Sequence, residues 1–173
     1  MDSPRLTDAD RAYWSTMEQV DLALAHGARL AQLHRRAERA VRDFLAEGDA
    51  FVSVSWGKDS TVLAALALAV RPDLLLVRVR MPPADNPCSD DVRDAFLRLY
   101  PMARYDEVVV PWPGMDGDAI DWQRAGVRSH QAFFREAHER HGPRCMLGIR
   151  ANESGMRELS AAVHGTSTAN RCR

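Results

Sequence analysis

Cysteine is scarce in this 173-residue chain: Cys88, Cys145 and Cys172 are the three present, and none stands in a CxxC spacing. An odd, scattered set argues against a disulfide framework and against a self-contained metal or iron–sulfur site. Charge of one sign is lacking too. The 23 Lys and Arg residues against 24 Asp and Glu leave a formal charge of -1. No global field therefore attracts nucleic acid, although a local basic patch stays open. No apolar run approaches membrane-span length, and the opening MDSPRLTDADR is polar and acidic, unlike a secretory leader. A cytoplasmic protein without a membrane partner is the expectation. Internal repeats and low-complexity segments are absent, and the six histidines follow no HExxH or triad-like order. What remains is a globular composition, 46% hydrophobic, of one domain's length.

The stretch that organises the chain is Phe51–Val70, FVSVSWGKDSTVLAALALAV. It reads as a buried strand over Phe51–Ser55, a polar loop over Trp56–Ser60, and an apolar helix from Ser60 or Thr61. A strand, a glycine-containing turn and a helix N-terminus together make an anion site. Backbone N–H groups converge there, the helix dipole adds partial positive charge, and Lys58 adds a full one. Trp56 admits two readings, stacking on a ligand or plugging the space beside the helix.

Two amphipathic helices precede this unit. Thr7 can cap the first, with Asp10 as the capping-box acid and Ala9, Tyr13, Met17, Val20 and Leu24 as its stripe. Leu30, Leu33, Ala37, Val41 and Phe44 mark the second, which Gly48 ends. They either cover the sheet or lie at a subunit interface. Downstream, Leu74–Val79 and Glu107–Val110 read as strands, as does Arg144–Ile149. A helix over Asp90–Tyr100, capped by Ser89, should turn Val92, Ala95, Phe96 and Leu99 inward. Another runs from near Ser129 to His138. Strands alternating with helices predict an α/β fold: an open, mostly parallel twisted sheet with helices on both faces, preceded by two N-terminal helices. Residues 1–48 form the helical lead-in and 49–173 the α/β domain. Cys145 is expected in the core and Cys88 in a loop near the site.

A second motif, Gly148-Ile149-Arg150-Ala151-Asn152-Glu153-Ser154-Gly155-Met156-Arg157, follows the last strand. Gly148 permits close approach there, and Arg150 and Arg157 offer forked donors to phosphate or sulfate oxygens. Glu153 can orient an arginine, help hold Mg²⁺ or cap the next helix.

Ser55-Trp56-Gly57-Lys58-Asp59-Ser60 closely resembles the SGGKDS or SFGKDS signature of the PP-loop ATP pyrophosphatase superfamily, whose fold is the adenine nucleotide alpha hydrolase-like one. The second motif resembles the G[IL]RxxES-x-x-R run of its phosphoadenylylsulfate (PAPS) reductase branch. The resemblance covers roughly Ala50 to the end. It implies ATP or a related adenine nucleotide with Mg²⁺, and adenylylation of an acceptor with release of pyrophosphate, in sulfur metabolism or in sulfur or amine transfer. The implied nucleotide contacts are Ser53, Ser55, Trp56, Gly57, Lys58, Asp59, Ser60, Val79, Met81, Gly148, Arg150 and Glu153. Lys58, Arg150 and Arg157 would act on the reacting phosphates, and Asp59 would be a metal ligand.

Departures limit what carries over. Relatives end their second strand in an Asp-Thr-Gly-like turn, where this chain has Arg80-Met81-Pro82-Pro83. The ECGxH-type tail of the sulfonucleotide reductases is missing, and Cys172 stands where relatives continue into a further segment. The alternatives are a true sulfonucleotide reductase, which the missing tail cysteine disfavours, and a non-catalytic nucleotide-binding subunit, which the altered turn supports. A homodimer through the Thr7–Leu45 helices is expected, and a partner subunit could complete the C-terminal region.

Overall fold

The computed structural model describes residues 7–80, 82, 86, 88–109 and 134–149. Met81, Arg150, Glu153, Arg157 and Cys172 lie outside the described residues. The chain divides into two compact units, Met1–Ala40 and Val41–Arg173.

The first unit holds α1 (Asp8–Ala25) and most of α2 (Ala28–Ala46). The start of α1 is as the sequence expects. Thr7 Oγ1 accepts from the Asp10 N–H at 3.2 Å, while the Asp10 carboxylate accepts from the Thr7 N–H at 2.9 Å. This reciprocal box satisfies two donors at the helix start, and its hydrogen bonds hold the Asp10 carboxyl below its ordinary value. The stripe expected on α1 is there, yet α1 buries no residue.

The second unit runs β1 (Phe51–Ser53), α3 (Lys58–Val70), β2 (Leu75–Arg80), α4 (Cys88–Leu99), β3 (Arg104–Val109), the helical residues 134–141 (α5) and β4 (Cys145–Leu147). The four strands form one parallel sheet in the order β3-β2-β1-β4. Successive side chains point to opposite faces, and the apolar residues sort accordingly. Val52, Leu76 and Met146 join Val41 and Leu45 of α2, Ala64, Ala67 and Leu68 of α3, and Phe96 of α4. Phe51, Val77 and Val108 form a second cluster with Ala137 of α5. The register agrees, since Val52 pairs with both Leu76 and Met146. A parallel sheet needs apolar cover on both faces, and this one has it. The α/β expectation holds.

Several boundaries differ from the sequence reading. The helix after the loop begins at Lys58, and β3 begins at Arg104. In α4, Asn86 rather than Ser89 does the capping: its side-chain oxygen accepts from the Cys88 N–H at 3.0 Å, and Ser89 is buried inside the helix. The inward face also differs from the stripe read from the sequence. Phe96 is buried and Leu97 half-buried, whereas Val92, Ala95 and Leu99 face solvent. Cys145 is half-buried, and burial pushes its thiol up to about 12, in keeping with a packing role. No helix among the described residues is long and apolar enough to cross a membrane.

The revised α4 face has a measurable consequence. Phe96→Ala should cost roughly 3–5 kcal/mol, while Leu99→Ala, at a side chain 76% exposed, should stay within about 0.5 kcal/mol. Urea unfolding of both variants checks this, and equal costs would restore the stripe read from the sequence.

Candidate functional site

The chain leaves β1 at the centre of the sheet, between β2 on one side and β4 on the other. The next strand in sequence goes to one side and the last described strand to the other. This reversal is a topological switch point, where open α/β sheets hold ligands beyond their carboxyl ends. The Ser55–Ser60 loop lies there. Parallel pairing continues one step past β1, with the Val54 N–H donating to Val77 O at 2.9 Å.

Trp56 shapes the turn. Its φ is 60°, the left-handed region, which costs a non-glycine residue about 1–2 kcal/mol. Its side chain is only 4% exposed. The indole packs against Phe96 and Tyr105 with ring centroids 5.4 and 5.8 Å away, and its N–H donates to the Tyr105 hydroxyl at 3.4 Å. Burying an aromatic of this size contributes roughly 4–6 kcal/mol at about 25 cal/mol per Å². Burial outweighs the strain. The plug reading of Trp56 is therefore the one realised, and its ring is not available to stack on a ligand in this arrangement.

Hydrogen bonds close the loop onto α3. The Ser55 N–H donates to Ser60 Oγ at 3.3 Å, and Ser60 Oγ donates to Gly57 O at 3.0 Å. Thr61 Oγ1 donates to the same carbonyl at 2.9 Å. Ser60, buried, is thus occupied within the loop, whereas Ser55, Gly57 and Lys58 are exposed. Gly57 is the N-cap of α3 and supplies no side-chain cap. Among the described residues a Cβ at Gly57 would meet only Ser55 Oγ, at 3.4 Å, so their packing does not require glycine here.

Lys58 stands at the positive end of the helix dipole, where a cation is unfavourable by a few tenths of a kcal/mol or more. It is also the sole lysine among the 23 Lys and Arg residues. A compact ammonium instead of a guanidinium, set where helix stability disfavours it, points to a role outside the fold. Asp59, half-buried in the same turn, complements the dipole.

The second motif reaches this turn through Gly148. A Cβ on Gly148 would lie 2.8 Å from the Ser60 nitrogen and 2.9 Å from the Asp59 carbonyl carbon. Both are backbone atoms that cannot swing aside. The two motifs, distant in sequence, therefore meet backbone to backbone. Ser53 is half-buried on the face of Phe51, where Val79 packs, opposite to Trp56. Ser55, Gly57, Lys58, Asp59, Ser60 and Gly148 are brought together, and the Trp56 side chain is not among them.

Sequence reasoning missed the polar network under the loop. Arg78, buried on β2, donates to Asp90 of α4 and lies 3.7 Å from Glu107 on β3. Arg93 reaches Asp90 at 3.0 Å and Glu107 at 3.1 Å, and Tyr105 donates to Glu107 at 2.6 Å. Burial works against the Glu107 charge, but hydrogen bonds from Tyr105 and Arg93 and the nearby Arg80 and Arg78 win and hold its carboxyl below 4.5. The bond from Arg78 holds Asp90 below 3.8. Burial, then the Glu107 contact, pushes Tyr105 up to about 12. The signal was present in Arg78 and Arg80, alternate residues of an otherwise apolar strand and so on one face. Among the described residues, no group of three or more His, Cys, Asp or Glu could hold a metal ion. No family model and no curated protein matches the chain.

Two outcomes test this geometry. Gly148→Ala should lower stability or open the loop, with loss of amide protection at Asp59 and Ser60 by hydrogen exchange. Unchanged exchange and melting would mean that β4 does not crowd α3. For Glu107, the folded carboxyl titrates below its unfolded value of 4.5, so its contribution is fully present above that pH and is lost as pH falls through the folded pKa. Glu107→Gln should therefore lower the neutral-pH plateau and flatten the acid limb below 4.5. An acid limb identical to wild type would remove Glu107 from the network.

Proposed function

We propose that this protein is a PP-loop adenine-nucleotide-binding protein of the adenine nucleotide alpha hydrolase-like fold, similar to the PAPS reductase branch. In this reading it binds ATP and activates an acceptor by adenylylation with release of pyrophosphate. The observation that carries the reading is the close approach of Gly148 to the first turn of α3, whose N-cap is a glycine. It joins the two motifs on which the resemblance rests. The first-turn N–H groups and the Lys58 ammonium would bind phosphate oxygens, and the open side of Gly57 leaves room for one to approach. Ser53 and Val79 would border the base. From the second motif the resemblance adds Arg150, Glu153 and Arg157, and it adds Met81 beyond β2.

The protein's contribution to the reaction would be positional and electrostatic. It would hold the phosphate chain fixed, neutralise charge as pyrophosphate leaves, and align the acceptor oxygen. No side chain of the loop has to act as a general base. Mg²⁺ fits the donor set, because it is held by one or two carboxylates plus the substrate's phosphates rather than by a protein cage. Asp59 is the carboxylate in the turn, and the ion, when bound, would supply Lewis-acid neutralisation of the phosphates.

A second reading, a subunit that holds nucleotide without turnover, is favoured by the carboxyl end of β2. There Arg78 and Arg80 are engaged with Asp90 and Glu107 in place of the family's Asp-Thr-Gly-like turn. Pyrophosphate release over a panel of acceptors separates the two readings.

Calorimetry with ATP and Mg²⁺ tests the binding common to both. Lys58→Ala should weaken it by roughly 1.5–3 kcal/mol, the value of a charge-assisted hydrogen bond. No binding of any adenine nucleotide at millimolar concentration would overturn the proposal, and unchanged affinity in a folded Lys58→Ala variant would remove Lys58 from it.

A further inference from the structure

Helix α1 presents a contradiction that its own chain does not resolve. It has 18 residues, a complete capping box and a periodic apolar stripe, yet no residue of it is buried. Tyr13 and Leu24 are 60% and 62% exposed, and Leu30 and Leu33 at the start of α2 are exposed as well. In proteins most of a helix's stability comes from burial of an apolar face rather than from propensity. Within the first unit, α2 does not supply that burial. Hydrogen bonds close α1 from the His26 N–H to Leu22 O and the Gly27 N–H to Leu24 O, and α2 opens with the Ala31 N–H donating to Gly27 O.

Their charges are opposite. In α1, Asp8, Asp10, Glu18 and Asp21 stand against Arg11 alone. In α2, Arg29, Arg35, Arg36, Arg39 and Arg42 stand against Glu38 and Asp43. The charges also sit beside the stripes. Asp10, Trp14 and Asp21 follow one flank of the α1 stripe at i, i+4 and i+11. Arg29 and Arg36 flank Leu30 and Leu33 on α2. Glu18, Asp21, Arg29, Arg35 and Arg36 form no ion pair among the described residues.

We infer that the partner of this surface is a second copy of the chain, with α1 of each copy laid against α2 of the other. The apolar stripes are then covered, and the acidic flank of one helix meets the basic flank of the other, twice by symmetry. Pairing like helix with like would set acid against acid and base against base. The swapped pairing avoids both. This assembly rests on α1 and α2 and stands independently of the nucleotide reading.

Light scattering coupled to size exclusion on the full chain at micromolar concentration should give twice the 19.4 kDa chain mass. Charge reversal then tests the pairing. Glu18→Lys with Asp21→Lys spares the Asp10 cap, and Arg29→Glu with Arg36→Glu reverses the other flank. Each double variant alone should raise the dimer dissociation constant at least about tenfold, since several pairs worth up to about 1 kcal/mol become repulsive. Circular dichroism should show each still folded. Mixing the two variants should restore the dimer, because every reversed α1 then meets a reversed α2 and every native α1 a native α2. A single species at the 19.4 kDa chain mass overturns the inference. So does a dimer indifferent to both reversals, or one that mixing does not restore.

Discussion

The approach of Gly148 to the backbone of Asp59 and Ser60 is the constraint on which the candidate site depends. Strand β4 can pair with β1 and leave beside it only if nothing larger than a hydrogen stands at that exit. Given that contact, α3 starts where two segments distant in sequence converge, at the carboxyl edge of the sheet. Any side chain at Gly148 would push one segment off the other. The switch-point geometry and the convergence of the two motifs therefore share a single steric cause.

Below the loop, a different balance operates. Trp56 adopts a backbone conformation that disfavours it, and the burial of its ring against Phe96 and Tyr105 outweighs that cost. Tyr105 in turn is held by Glu107, which Arg93 links to Asp90, which accepts from Arg78. Loop, two strands and α4 are thereby joined in one arrangement of hydrogen bonds around a buried arginine. A buried guanidinium is tolerated because carboxylates meet it. The network fixes the loop's shape from beneath while its upper side, Ser55, Gly57 and Lys58, stays exposed.

The sequence made the parallel sheet legible because a strand covered on both faces has little choice but continuous apolar residues, as in Leu74–Val77. The capping box at Thr7 and Asp10 was equally plain, being local. Contacts set by tertiary placement were less so. The inward face of α4 was misjudged because it is set by packing, Phe96 against Trp56 and Arg93 toward Glu107, and not by the helix's own periodicity. Trp56 was ambiguous because its conformation depends on Phe96 and Tyr105, far along the chain. Periodicity identified α1 as a helix but could not say what covers its apolar residues. Resemblance named the loop as a phosphate site, and Gly148 supplied a physical reason for the two motifs to belong together.

The central claim is that the turn at Lys58 receives the phosphates of an adenine nucleotide. Because Lys58 is the sole lysine, reductive ¹³C-methylation places an NMR label on it and, otherwise, only on the N-terminal amine. Titration with ATP and Mg²⁺ should shift the Lys58 methyl resonance saturably, with adenosine alone producing little change. A Lys58 signal that stays fixed while ATP is raised to millimolar concentration would contradict the account.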